Sequence, residues 1–196
     1  MAAALQIGVL ALQGDFAEHA AMLRSIGASV SEVRTAEQMD SVQSLIIPGG
    51  ESTSMAKLMD AYGLRAPLRD FATSGKAIWG TCAGLILLAE RLIENRPEPL
   101  GVLRITVQRN GFGRQVDSFE SDLSIKGIDD GPFHAVFIRA PIICQIGSGV
   151  EELATLDDGT LVAARQDNLL VTAFHPELTA DTRLHRLFME MSAAPV

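Results

Sequence analysis

Apolar residues follow two rhythms along this chain, and the rhythm changes near residue 100. Before that point, short continuous apolar runs end on glycine or proline: "LQIGVLALQG" at 5–14, "SLIIPGGES" at 44–52 and "KAIWG" at 76–80. Runs of this length predict strands buried on both faces. Between them apolar residues recur at helical spacing. Phe16, Ala20 and Leu23 share one face until Gly27, behind a capping-box-like start at Asp15 and Glu18. Met55, Leu58, Met59 and Tyr62 form the face of another helix, a third begins at Ala83, and "ASVSEVR" alternates as a further strand.

After residue 100 the runs shorten and alternate: "LRITVQRN", "HAVFIRAP", "EELATL", "LVAARQ" and "LLVTAFHP", separated by turns such as "GIDDGP" and "LDDGT". A last helix is predicted from about Ala180, with Leu184, Leu187, Phe188 and Met191 on its buried face. Strand alternating with helix predicts right-handed crossovers. The expected fold is α/β: a three-layer, flavodoxin-like sheet, mostly parallel, with helices on both faces and additional antiparallel strands in the C-terminal half. No repeat or low-complexity linker interrupts it, so residues 1–196 are expected to form a single domain.

Composition narrows the function by exclusion. The chain has 47% hydrophobic and 20% charged residues and a net charge of -8, and its basic residues are scattered singly. That leaves no electrostatic footprint for nucleic acid or an anionic membrane. "MAAALQIGVLALQG" has no basic residue before its apolar run, which Gln6, Gly8 and Gln13 interrupt; neither a signal peptide nor a transmembrane span fits. A cytoplasmic protein is expected, with Cys82 and Cys144 both free thiols and Cys144 a buried strand residue.

Chemistry gathers at strand ends. Ligands of open parallel sheets bind beyond the carboxyl ends of the strands, and "LQGD", "PGGES" and "GTCAG" are glycine-bearing corners at such ends. A nucleophile on a strand-to-helix elbow is pushed out toward substrate, and the helix beginning at Ala83 turns its free amides and positive end toward the Cys82 sulfur. Alone, Cys82 reads first as a small buried residue in a tight turn, which the two flanking glycines weaken but do not overturn; it needs a base. Of four histidines, His19 and His185 lie in helices, with solvated or packed roles, and His134 begins a strand near Pro132. His175 differs: "LLVTAFHPELT" places it just past an apolar strand, with Glu177 two residues on. An extended His-Pro-Glu segment could aim His175 at the thiol while Glu177 orients the imidazole. Cys82, His175 and Glu177 could instead ligate zinc, but no Cys-x-x-Cys or His-x-x-x-His pair anchors a metal site, and neither metal nor cofactor is expected.

With "GTCAG" and "FHPEL" in view, the sequence resembles the class I, triad-type glutamine amidotransferases. More narrowly, "LQGDFAEH", "PGGEST", "GTCAGLILLA", "RNGFGRQVDSFE", "FIRAP" and "FHPELT" are similar to the glutaminase subunits of pyridoxal 5'-phosphate synthase. The resemblance implies that Cys82 attacks the side-chain amide of L-glutamine, His175 moves the proton to ammonia and Glu177 orients His175. It implies backbone amides at Gly50 and Ala83 as the oxyanion hole, and Gly50, Glu51, Ser52, Arg109, Ile138 and Arg139 as contacts to glutamine. Without it, Arg109 and Arg139 are equally surface arginines and Glu51 a first-turn acid favouring its helix. The resemblance further implies a partner, a synthase subunit of barrel fold in a dodecameric ring that receives the ammonia. One departure stands out: the position of Gly111 commonly carries serine in that family block. Two other functions fit the same fold, a cysteine hydrolase of another γ-glutamyl amide without a synthase partner, and a non-catalytic assembly subunit. The second would be marked by loss of Cys82, His175 or Glu177, and all three are present.

Overall fold

The computed structural model describes residues 5–113 and 118–193; residues 114–117 of the "RNGFGRQVDSFE" block and the first four residues lie outside the described part. Strand and helix alternate through the first half: β1 (Gln6–Leu10), α1 (Phe16–Ser25), β2 (Ser29–Val33), α2 (Ala36–Asp40), β3 (Ser44–Ile47), α3 (Ser52–Ala61), α4 (Arg65–Thr73), β4 (Ala77–Thr81) and α5 (Ala83–Leu88). Strands dominate the second half: β5 (Ala89–Leu92), β6 (Leu103–Gln108), β7 (Ser118–Leu123), β8 (Phe133–Ile138), β9 (Ile142–Ile146), β10 (Glu151–Thr155), β11 (Leu161–Gln166) and β12 (Leu169–Thr172), before α6 (Arg183–Ala193).

Five parallel strands lie side by side in the order β2, β1, β3, β4, β12. This is the flavodoxin-like winding, with its fifth place taken by a strand from the far end of the chain. Antiparallel β11 follows, flanked by β10; β9 and β6 extend the sheet, and β5 closes it parallel to β6. β7 and β8 form a separate antiparallel ribbon. The placement of β12 matters for function, because it sets the end of β12 beside the end of β4.

β3 and β4 are buried at every position, as continuous apolar runs require when both faces carry helices. Trp79 of β4 faces one layer, where its indole meets the rings of His19 on α1 and of His185 and Phe188 on α6 at centroid distances of 5.6, 4.9 and 5.7 Å. Gly80 faces the other layer. A Cβ on Gly80 would lie 2.6 Å from the Gly84 backbone, and one on Gly84 only 2.0 Å from the Ile47 carbonyl. The two glycines of "GTCAG" therefore let α5 seat against the ends of β3 and β4, a packing requirement as well as a turn. Fully buried Trp79, Phe174, Ile46 and Leu45 lie in this core, where a large apolar side chain contributes about 1.5–3 kcal/mol. β6 and β8 instead alternate buried with exposed or half-buried positions, one face being less covered than the other.

Three local expectations need correction. Asp15 stands at the N-cap of α1 but makes no capping hydrogen bond; its carboxylate is engaged elsewhere. α6 begins at Arg183 and buries Leu184, His185 and Phe188, with Leu187 and Met191 only partly covered. Cys144 is exposed, not buried: Ile143 takes the inward position on β9, so its neighbour faces out. Among the described residues, no helix is long and apolar enough to cross a membrane.

Candidate active site

The glycine corners meet at the carboxyl edge of the parallel strands. Cys82 follows β4 with φ 46° and ψ -98°, a conformation that costs energy for any residue with a side chain. Its amide donates to the Thr172 carbonyl at 2.8 Å, which fixes the strained corner to the end of β12. The thiol is almost wholly buried, and its sulfur lies 3.9 Å from the Ile138 carbonyl oxygen.

His175 emerges from the same strand end, its amide donating to the Val136 carbonyl of β8 at 2.8 Å. The following segment is not extended: Pro176–Leu178 forms a 3₁₀ turn, with proline at a position where a missing N–H costs nothing. The turn folds Glu177 back so that His175 Nδ1–H donates to Glu177 Oε1 at 2.7 Å. Asp15 Oδ2 lies 3.3 Å from the same nitrogen, which is where the carboxylate missing from the α1 cap has gone. The glycine loop sits against the ring: a Cβ on Gly49 would approach His175 Cε1 to 2.3 Å.

Electrostatics follow from this crowding. Burial alone would lower the pKa of His175, but Asp15, Cys82 and Glu177 together push it well above that of an ordinary imidazole. Burial would likewise raise Glu177; His19 and His175 instead hold its carboxyl well below the usual carboxylate range. The proton therefore stays on the imidazole between sulfur and carboxylates. The ligand atoms of Asp15, His175 and Glu177 lie within 4.8 Å of one another, a grouping that could hold a metal ion. A cation on Nδ1 would first have to displace the proton that this nitrogen donates to Glu177.

Gly50, Glu51, Ser52, Cys82, Arg109, Ile138, Arg139 and His175 all line one cavity of about 340 Å³, near the lower end of the roughly 300–1,000 Å³ typical of small-molecule sites. Ala83 and Glu177 lie behind its wall, both buried. Among the described residues, no group accepts a hydrogen bond from the amides of Gly50 or Ala83. Glu51 is in part a structural residue. Its carboxylate caps α3, accepting from the Thr53 and Ser54 amides at 2.9 and 2.7 Å; burial opposes these bonds, yet they hold its pKa down to about 2. Its Oε1 also lies 3.7 Å from Arg109 Nη2.

Sequence reasoning missed Gln13, Asp15, Ile86 and Asn110 in the cavity wall, and His19 behind it. Gln13 accepts from the Glu51 amide at 2.8 Å and so ties the "LQGD" corner to the "PGGES" corner. A signal for His19 existed in its spacing, four residues after Asp15 and therefore on the same side of α1.

The matching family profile is that of the SNO glutamine amidotransferase family, over residues 9–194. The chain belongs to the SNO glutamine amidotransferase family. Among its relatives, the pyridoxal 5'-phosphate synthase subunit PdxT of Herpetosiphon aurantiacus is 55% identical over 94% of this chain and 99% of its own. The protein of the same name from Dehalococcoides mccartyi strain BAV1 is 53% identical over 96% and 97%. A solved structure described as a glutamine amidotransferase shares 49% identity and superposes with a TM-score of 0.90 over 96% of this chain and 99% of that one. A chain of the PurLQS structure from Thermotoga maritima, at 15% identity and a TM-score of 0.70 over 96% and 99%, shares the fold. The expected α/β architecture is thus that of this amidotransferase family.

Proposed function

We propose that the chain hydrolyses L-glutamine to L-glutamate and ammonia, and passes the ammonia to a synthase subunit that makes pyridoxal 5'-phosphate. One observation carries this reading: the line from Cys82 through His175 to Glu177 borders an amino-acid-sized cavity in a member of an amidotransferase family. The names of the relatives supply the synthase, as do the blocks that carry the resemblance.

In the proposed reaction, the Cys82 thiolate attacks the amide carbon of glutamine. The amides of Gly50 and Ala83 meet the oxyanion that forms. His175 gives its proton to the nitrogen as the carbon–nitrogen bond breaks, leaving ammonia and a γ-glutamyl thioester. His175 then takes a proton from water, whose oxygen attacks the thioester; the carbon–sulfur bond breaks and glutamate leaves with the thiolate restored. Glu177 holds the imidazole in register throughout. Arg109 and Arg139 bind the α-carboxylate of the substrate, while Glu51 and the Ile138 carbonyl receive its ammonium, with Ser52 completing the wall.

The chain works, in this proposal, as one amidotransferase domain in the cytoplasm, where Cys82 and Cys144 stay free. Its partner is a barrel-fold synthase in a dodecameric ring, and docking selects the productive geometry of the Gly49–Gly50 loop. Release of ammonia and glutamate from glutamine, by the chain alone and with the synthase subunit, tests it beside Cys82→Ala. Activity should rise with the partner and vanish in the variant. A Cys82→Ala chain as active as the wild type would overturn the mechanism, and hydrolysis confined to other γ-glutamyl amides would overturn the substrate.

A further inference from the structure

Glu177 has two carboxylate oxygens, and they are treated very differently. Oε1 accepts the His175 proton at 2.7 Å. Oε2 is buried and makes no straight hydrogen bond with any described residue. Its close nitrogen is Nε2 of His19, 3.2 Å away, with both side chains fully shielded from solvent. His19 Nε2 has a better-aligned neighbour in Thr81 Oγ1 at 3.1 Å, so the nitrogen is shared between the hydroxyl of the residue before the nucleophile and the carboxylate. On its other side His19 Nδ1 lies 3.0 Å from His185 Nε2.

Which nitrogen of His19 carries hydrogen follows from its surroundings. A bare Nε2 would set its lone pair against the lone pairs of Oε2 inside the core, which is repulsive. The proton therefore sits on Nε2, between Oε2 and Thr81. His185 supports that arrangement: burial pushes its pKa down to about 3 against the pull of Glu177, so it is neutral. A neutral His185 that donates from Nε2 to His19 Nδ1 leaves only a bare lone pair on its own Nδ1, which has no partner among the described residues. The opposite tautomer would leave a buried N–H unpaired, the rarer and costlier outcome.

We propose that His19 is a positioning residue for the glutaminase reaction. It holds the rear oxygen of Glu177, while His185 fixes its ring, so that the front oxygen keeps His175 aimed at Cys82. His19 touches neither substrate nor sulfur and acts only through Glu177. The charged and titratable groups around that carboxylate are His19 from α1, His175 on its own turn, His185 from α6 and Asp15 from the loop after β1, with Cys82 beyond the imidazole.

The turnover part of the test rests on the glutaminase reading, so it is paired with a measurement that does not. Cys82 alkylation by iodoacetamide is followed by mass spectrometry of its peptide across pH, together with kcat and KM for glutamine in the presence of the synthase subunit. His19→Gln keeps an amide N–H near the Nε2 position; His19→Leu removes it, and His19→Asn replaces Leu should that variant not fold. The Leu or Asn variant should lose about ten- to hundred-fold in kcat with KM nearly unchanged, since the N–H that faces the rear oxygen of a buried, charged carboxylate is lost. Its Cys82 should alkylate at least about ten-fold more slowly near neutral pH, while His19→Gln stays within a few-fold of wild type in both. A folded Leu or Asn variant that alkylates like wild type overturns the proposal, as do equal losses in Gln and Leu. If wild type hydrolyses no glutamine, the functional reading fails, and the alkylation series still decides the role of His19.

Discussion

Cys82 and Cys144 are the two thiols of the chain, and the more accessible one is the less prepared to react. Cys144 faces solvent from β9, and its nearest polar neighbours are Gln108 Oε1 and the Ile142 carbonyl, each 4.0 Å from sulfur. Partial burial of the sulfur and the Glu94 carboxylate push its pKa up, against a weak opposing contact with Gln108. Cys82 is buried, strained in backbone and faced by an imidazole that two carboxylates keep protonated. Reactivity here follows charge and backbone placement rather than access.

The sharpest way to break that contrast is to remove each sulfur in turn. Cys82→Ala should lower kcat for glutamine by about 10⁴-fold or more, as for loss of a nucleophile that acts as part of a unit. Cys144→Ala should stay within about two-fold, as an exposed substitution far from the site. A comparable loss in both, measured as ammonia release, would mean that the distinction is false. Next in size is Glu177→Gln, which leaves the shape but removes the charge behind the imidazole; kcat should fall by about 10²–10⁴-fold. The same variant carries a pH signature. Because the folded carboxyl is held below its unfolded value, it contributes stability that is fully present above about pH 4.3 and is lost as pH falls toward the folded value. Glu177→Gln should flatten the acid limb of denaturant-measured stability. His175 runs the other way: its raised pKa stabilises fully below about pH 6.5 and less as pH climbs through the folded value. A third, smaller effect is the labelling contrast itself, since Cys82, with the protonated imidazole beside it, should alkylate faster than Cys144 at neutral pH by a margin of at least about ten-fold.

Much of this was legible because two rules act locally. Continuous apolar runs could only be doubly covered strands, and glycine corners at their ends could only be where the sheet opens, so Cys82 and His175 stood out. What the sequence hid was long-range. Nothing in "LLVTAFHPELT" says that β12 lies beside β4, the pairing that sets His175 near Cys82. His19, 158 positions before Glu177, looked like any helical histidine. Asp15 was misjudged because its capping pattern and its contact with His175 compete for one carboxylate, and the sequence shows only the first. Cys144 was misplaced because an alternating strand fixes which residues share a face, not which face is covered.

The smallest expected effect returns to the strand of Cys144. Gly111 stands where serine is common in the family, and the structure supplies a reason: a Cβ there would lie 2.5 Å from Ile142 Cγ1 and 2.6 Å from Cγ2. Ile142 is the first residue of β9, and the Gly111 amide donates to the Ala140 carbonyl at 3.0 Å. The loop carrying Arg109 and Asn110 into the cavity is thus pinned on Ile142, two residues from the unreactive thiol. Gly111→Ser should cost about 1–3 kcal/mol of overpacking and raise KM for glutamine a few-fold, with kcat nearly unchanged because the triad is untouched. Ile142→Ala removes the two nearer of the three crowding carbons and leaves only Cβ at 2.9 Å, so the double variant should be less destabilised than the sum of the two single changes, by about 0.5 kcal/mol or more. Additive losses in thermal or denaturant unfolding would mean that the glycine is not fitted to Ile142. The two cysteine regions would then share a sheet but not a mechanical connection.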